Sequence, residues 1–176
     1  MKEKTNFYLF LDIDGVMSDW DYIISEVEAG RLKRGQSIKT FKPESVEALN
    51  YLITEISKDY NFKLVISSTW RIDMEETKDV FKKHNILCSD ELDKTPRFFN
   101  PKHRSKEILQ YLKEHNFNKD KDDFVIIDDE TFDFGKYFPP EKFIKTEIYH
   151  NALSMDMVKK YLEEKQKSVD SAYAMQ

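Results

Sequence analysis

The chain has 176 residues, 35% of them charged and 40% hydrophobic, with a net charge of -5; it has room for one cored domain but not comfortably for two. That balance excludes a globally basic nucleic-acid binder while leaving local patches open, and no apolar run approaches the roughly 20 residues that a membrane span needs. The N-terminus has lysines but no apolar signal core, and the lone Cys88 cannot form an internal disulfide; both point to a reducing cytoplasm.

In chain order, the first apolar run is Phe7 to Leu11, which reads as a strand and ends on Asp12 and Asp14. A helix follows further on, because Val46, Leu49, Ile53 and Ile56 recur at steps of three and four and share one face. A second strand is expected over Lys63 to Ser67. Asp73 with Glu76 then forms a capping box that opens a helix to about His84. A weak third strand is expected at Ile86 to Cys88. Asn100 and Pro101 supply an N-cap and first-turn proline for a helix carrying Ile108, Leu109 and Leu112. Strands are expected again at Phe124 to Ile127 and Phe143 to Tyr149, and Ser154 can cap the last helix, with Leu153 and Val158 in staple positions. Beyond Leu162 the apolar period is lost, so 163–176 is expected to fray.

Continuous apolar strands alternating with helices argue for an α/β fold, a Rossmann-like three-layer sandwich on a mainly parallel five-stranded sheet, occupying residues 1–162 as a single domain. Ligands of such sheets gather at the carboxyl ends of the strands.

Three strand ends carry chemistry. In extended chain Asp12 and Asp14 point to the same side, and Gly15 lets the backbone turn after them. The run "FVIIDDE" ends a second strand on Asp128 and Asp129. Carboxylates this close repel one another unless a cation joins them, and an oxygen-rich site of this kind suits Mg²⁺. The run "KLVISSTWR" ends in the hydroxyls of Ser67, Ser68 and Thr69, well placed to hold a phosphate oxygen. His84, His103, His115 and His150 lack ligand-like spacing, which disfavours zinc.

Acid pair, hydroxyls, cation and acid pair follow one another in an order that resembles the haloacid dehalogenase (HAD) superfamily of aspartate-based phosphatases. "FLDIDGV", "FKPESVEALNYLI", "LVISSTWR", "KTP", "RSKEILQYL" and "FVIIDDE" resemble more closely the compact HAD domains of Swiss-Army-Knife RNA repair proteins. The resemblance implies that Asp12 is the nucleophile and forms an aspartyl-phosphate, and that Asp14 protonates the leaving oxygen and then activates water. It implies Mg²⁺ held by Asp12, the backbone carbonyl of Asp14, and Asp129, with Asp128 binding directly or through water. It implies a phosphate ligand from the hydroxyl run, Ser68 being favoured over Ser67, and a cation at Arg104 or Lys106, between which the sequence does not decide.

Relatives with a large cap domain insert it between these motifs. Here only a flap at about 17–40 and a substrate loop at about 88–103 remain, so no large cap is expected and the site should admit a large substrate. Residues 30–42 carry Arg31, Lys33, Arg34, Lys39 and Lys42 without an acid, and residues 94–106 carry Lys94, Arg97, Lys102, Arg104 and Lys106, again without one. Trp70, Phe98 and Phe99 are candidates to stack on bases. The expected function is a Mg²⁺-dependent phosphomonoesterase acting on polynucleotide ends or nucleotides. The alternatives are a phosphatase of small metabolites and a non-catalytic phospho-receiver or binding module.

Overall fold

The computed structural model describes residues 5–33, 39–98 and 103–174. Its centre is a parallel sheet of five strands: β1 (Asn6–Leu11), β2 (Asn61–Ile66), β3 (Asp93–Lys94), β4 (Asp123–Asp128) and β5 (Phe143–Lys145). The strand order is β3-β2-β1-β4-β5. The helices are α1 (Trp20–Glu28), α2 (Pro43–Ser57), α3 (Met74–Lys83), α4 (Arg104–Glu114) and α5 (Met155–Ala174).

Alternation along β1 divides the core. Phe7, Leu9 and Leu11 pack with Leu49, Leu52 and Ile56 of α2, Val80 and Phe81 of α3, and Val158 and Tyr161 of α5. Tyr8 and Phe10 point to the opposite face, against Ile108, Tyr111 and Leu112 of α4. Both faces are therefore covered, as continuous apolar strands require, and the sandwich has three layers. The chain runs β1, β2, β3 in one direction and returns under the other face through α4 to β4, so β1 and β4 are neighbours at the point where strand order reverses. Ligand sites of open α/β sheets form at this point.

Several expectations hold in detail. The Asp73 carboxylate accepts from the Glu76 N–H (3.0 Å) and caps α3, and the Ser154 hydroxyl accepts from Met157 N–H (3.4 Å) at the start of α5. Cys88, which has no cysteine to pair with in the chain, is half-buried against the core.

Others are corrected. Ile86 to Cys88 is not a strand: α3 closes with Ile86 N–H on the Phe81 carbonyl (3.0 Å), and Asn85 and Cys88 have φ of 55° and 62°, which no strand accommodates. The edge strand lies later, at Asp93–Lys94, paired with Val65 and Ile66. The last strand stops at Lys145 rather than Tyr149, because the carbonyls of Ile148 and Tyr149 leave the sheet to accept from Trp20 (2.8 Å) and Asp21 (3.1 Å) at the start of α1. The Asn100-Pro101 cap lies outside the described residues; α4 begins at Arg104 after His103. The tail expected to fray from Glu163 is helical to Ala174. Lys165 anchors the first part of this segment, since it forms an ion pair with Asp123 and lies over the rings of Phe7 (5.3 Å) and Tyr60 (5.1 Å). Among the described residues no helix is long and apolar enough to cross a membrane.

Candidate active site

The two central strands deliver the acids to one place. Asp12 N–H continues the ladder onto the Ile127 carbonyl (2.9 Å), which sets the end of β1 beside the end of β4. One carboxylate oxygen from each of Asp12, Asp128 and Asp129 lies within 4.8 Å of the others. Arg104, the first residue of α4, enters between two of them, with Nη1 2.9 Å from Asp12 Oδ1 and 2.9 Å from Asp128 Oδ2. Its guanidinium lies over the Phe132 ring, 5.0 Å from the centroid. Phe132 itself has φ of 37°, a conformation that costs a bulky residue on the order of 1–3 kcal/mol and is characteristic of functional sites.

Gly15 is required by close approach as well as by its φ of 78°. A Cβ there would lie 2.6 Å from Asp129 Oδ2 and 2.7 Å from Asp129 Cγ, so any side chain drives the Asp129 carboxylate out of the acidic cluster. Gly15→Ala is therefore expected to weaken divalent-cation binding more than it lowers stability. The strain costs about 1–2 kcal/mol, whereas a cation titration followed by thermal melting should show most of the metal-dependent stabilisation gone.

Burial raises the Asp12 pKa, against the opposing pull of Arg104. Asp128 is pushed well above the carboxylate range by burial and by the charge of Asp12. Asp129 is pushed up to about 6 by burial and by the charges of Asp12 and Glu130. Asp14 is raised as well, by burial first and by Asp12 second, although the Trp70 indole N–H bonded to its carboxylate (3.2 Å) opposes this. Burial lowers the Arg104 pKa, but Asp128 and Asp12 outweigh it and hold the guanidinium charged. Arg104 thus brings one positive charge to a group of acids whose proton affinities are all raised. Hard oxygen donors crowded together with too little positive charge fit a small divalent cation such as Mg²⁺.

The hydroxyl run separates cleanly. Ser68 lies on the side of Asp12 and helps to hold down its proton affinity, and its hydroxyl oxygen accepts from Trp70 N–H (3.4 Å). The Ser67 hydroxyl, by contrast, is buried without a hydrogen-bond partner. Its carbonyl instead accepts from Arg71 Nη1 (2.6 Å).

Arg71 is buried and ties four segments together. Nη1 also reaches Thr95 Oγ1 (2.8 Å), while Nη2 meets both oxygens of Glu107, at 2.9 and 2.8 Å. Glu107 Oε1 in turn accepts from the Phe98 N–H (2.8 Å). This ion pair, one guanidinium nitrogen shared by both carboxylate oxygens, fixes the first turn of α4, and with it Arg104, against the end of β2.

The family model for the HAD domain in Swiss Army Knife RNA repair proteins matches residues 8–157, from β1 into α5. The chain belongs to this HAD family. No match was found among curated proteins or among solved structures. Membership brings a phosphatase-type reading in an RNA-repair context, and the buried acidic cluster lies where that reading needs it.

Within this HAD domain the other expected site residues fall differently. Lys106 is exposed and lines an outer groove with His103, Lys136 and Tyr137; two positions along a helix is about 200° around its axis, so it cannot share the direction of Arg104. The basic flap is largely neutralised, because Arg31 pairs with Glu26 (2.7 Å), Lys42 with Asp19 (2.9 Å) and Lys39 with Glu76. Arg34, Phe99 and Lys102 lie outside the described residues. Arg97 and Phe98 are exposed on the second loop.

Asp19 carries no pattern in the sequence that marks it, and Thr95 and Glu107, although they fall within the runs "KTP" and "RSKEILQYL", are given no role by their spacing. Asp19 is the most consequential for the flap. It is 1% exposed, caps α1 through Tyr22 N–H (2.8 Å) and accepts from Lys42 (2.9 Å) and Ala152 N–H (3.1 Å). Burial would raise its pKa, but these donors outweigh burial and hold it below the usual value.

Proposed function

We propose that this HAD domain is a Mg²⁺-dependent phosphomonoesterase that works through an aspartyl-phosphate and acts on nucleic-acid ends or nucleotides. The observation that supports it best is the convergence of Asp12, Asp128 and Asp129 at the reversal of strand order, with Arg104 bridging Asp12 and Asp128.

A carboxylate oxygen of Asp12 attacks phosphorus, and the bond from phosphorus to the ester oxygen breaks while that oxygen takes the proton of Asp14. Asp14 suits the acid because its raised pKa keeps it protonated higher up the pH scale than an ordinary aspartate. In the second half, Asp14 removes a proton from water, whose oxygen attacks phosphorus and breaks the bond to Asp12, releasing phosphate. Arg104, bonded to Asp12 (2.9 Å), and Ser68, on the side of Asp12, would donate to phosphoryl oxygens as charge develops. Asp12, Asp128 and Asp129, with the backbone carbonyl of Asp14, would hold Mg²⁺, which supplies charge neutralisation of the phosphoryl group and keeps Asp12 ionised.

The direct test is phosphate release from 3′- and 5′-phosphorylated oligonucleotides, mononucleotides and sugar phosphates, in Mg²⁺ and in EDTA. Release from the nucleic-acid substrates that stops in EDTA supports the reading. Release confined to sugar phosphates supports a metabolite phosphatase instead, and absence of release from every substrate refutes the enzymatic proposal.

Cation binding should also be linked to pH. Asp129 has a pKa of about 6 against an ordinary 3.8, so the metal-free fold binds its proton more tightly than the unfolded chain does. This contribution to stability is therefore present at low pH and lost as pH rises through about 6. Mg²⁺ competes with the same proton, and its affinity is expected to weaken roughly tenfold per pH unit below that value. Thermal melts with and without millimolar Mg²⁺ should show a clear stabilisation at about pH 7.5 that has largely disappeared at about pH 5.

A further inference from the structure

A cavity of about 290 Å³ opens beside Asp14, walled by Ile13, Trp20, Ile23, Phe41, Trp70 and Ile148. Phe41 is its buried floor, 2% exposed, with its ring centroid 5.8 Å from that of Trp70. Trp20, the first residue of α1, is 44% exposed and forms the outer wall. Two polar side chains in the wall are already engaged. The Ser18 hydroxyl donates to the Thr40 carbonyl (2.6 Å), and the Asp19 carboxylate is held by Tyr22, Lys42 and Ala152.

We propose that this pocket holds the base of the nucleoside that carries the scissile phosphate, stacked against Trp20 and Trp70. The inference rests on the phosphomonoesterase reading in one respect: Asp14 protonates the leaving oxygen, so whatever is bonded to that oxygen is delivered to the pocket at its side. The rest is the chemistry of the walls. Apolar and aromatic surface with committed polar groups gains nothing from a bare sugar or a second phosphate, but every base has a face to stack. The volume is at the small end for ligand pockets, which run about 300–1,000 Å³, and suits one ring system rather than a run of nucleotides. The flap cations point the same way. Arg31, Lys39 and Lys42 are paired with acids, which leaves less free positive charge beside the pocket to track a backbone and favours stacking as the means of recognition.

The pocket predicts weak discrimination among bases, strong discrimination against substrates without one, and dependence on Trp20. The decisive measurement is kcat/KM for adenosine monophosphates (3′ and 5′), for the matching ribose phosphates, and for an oligonucleotide with the same terminal nucleotide, using wild type, Trp20→Ala and Trp20→Phe. The better adenosine monophosphate should exceed its ribose phosphate by about 10-fold or more, as expected for one stacked base. Trp20→Ala should collapse that ratio and Trp20→Phe should restore part of it. A ratio near one in wild type, or a ratio indifferent to Trp20→Ala, overturns the proposal. Equal efficiency for mononucleotide and oligonucleotide assigns the pocket to free nucleotides and strand ends alike, and a gain with the oligonucleotide assigns it to strand ends; both outcomes support the pocket.

Binding separates this inference from the catalytic one. The chain has two tryptophans and both line the cavity, so intrinsic fluorescence reports on it directly. Adenosine, which has no phosphate, should change the emission of wild type where ribose does not, and the response should weaken in Trp20→Ala. A fluorescence response without phosphate release from any substrate would refute the hydrolase and keep the base pocket. Phosphate release with no response to adenosine and no preference for nucleotides would do the reverse.

Discussion

Asp12→Asn is expected to lower phosphate release by roughly 10⁴-fold or more, the scale seen when a nucleophile is removed from an enzyme that retains its other site groups. The same substitution should leave the fold intact. Asp12 is buried beside Asp128 and its charge raises the proton affinity of Asp128, so neutralising Asp12 relieves repulsion in the metal-free protein while Arg104 keeps its contact with Asp128 (2.9 Å). Melting temperature at neutral pH in EDTA should therefore be equal to or above that of wild type, with activity gone. This opposition of stability and activity marks a functional site. A variant that both loses activity and melts much lower would make Asp12 structural and count against its role as nucleophile.

Glu107→Ala is expected to be the most destabilising single change outside the apolar core. Arg71 and Glu107 have side chains only 8% and 3% exposed, and removing one partner of a buried pair leaves the other charge uncompensated, at a cost of about 3–5 kcal/mol. Urea melts would resolve this readily. The double substitution Arg71→Met with Glu107→Leu should recover a substantial part of the loss, since it removes both charges, but not all of it, because the Ser67 carbonyl and Thr95 hydroxyl lose their donor. Activity should fall with the single variant even where it remains folded, because the pair seats the first turn of α4 and so the position of Arg104 relative to Asp12. A loss under about 1 kcal/mol would show that the pair is solvated in solution.

Much of the site was legible because a strand has a period of two and ends at the edge of the sheet. Asp12, the Ser67-Ser68 pair and Asp128-Asp129 could be assigned to one edge from three apolar runs alone, and the sheet brings them there. Arg104 and Lys106 could not be separated in the same way, since a helix start was uncertain by a few residues and a helix turns about 100° per residue. The cap now falls at His103, and Arg104 alone faces the acids.

The basic flap shows the other limit. A run of cations without an acid among its neighbours in sequence looks like a binding patch, yet Lys42 and Lys39 find Asp19 and Glu76 at 23 and 37 residues' distance. Charge compensation across that separation has no local signature. The same holds for Arg71, whose partner Glu107 lies 36 residues away, and for Trp20, which becomes a pocket wall only because α1 folds back over Phe41 and Trp70.

The sequence by itself therefore determined the layered parallel fold, the order of the motifs and the set of acids at the strand ends, since all three follow from local periodicity and from where apolar runs stop. The tertiary structure decided which serine and which cation meet Asp12, which charges are already paired, and what shape adjoins Asp14. Those outcomes depend on long side chains reaching partners brought together only by packing, and no spacing along the chain encodes that distance.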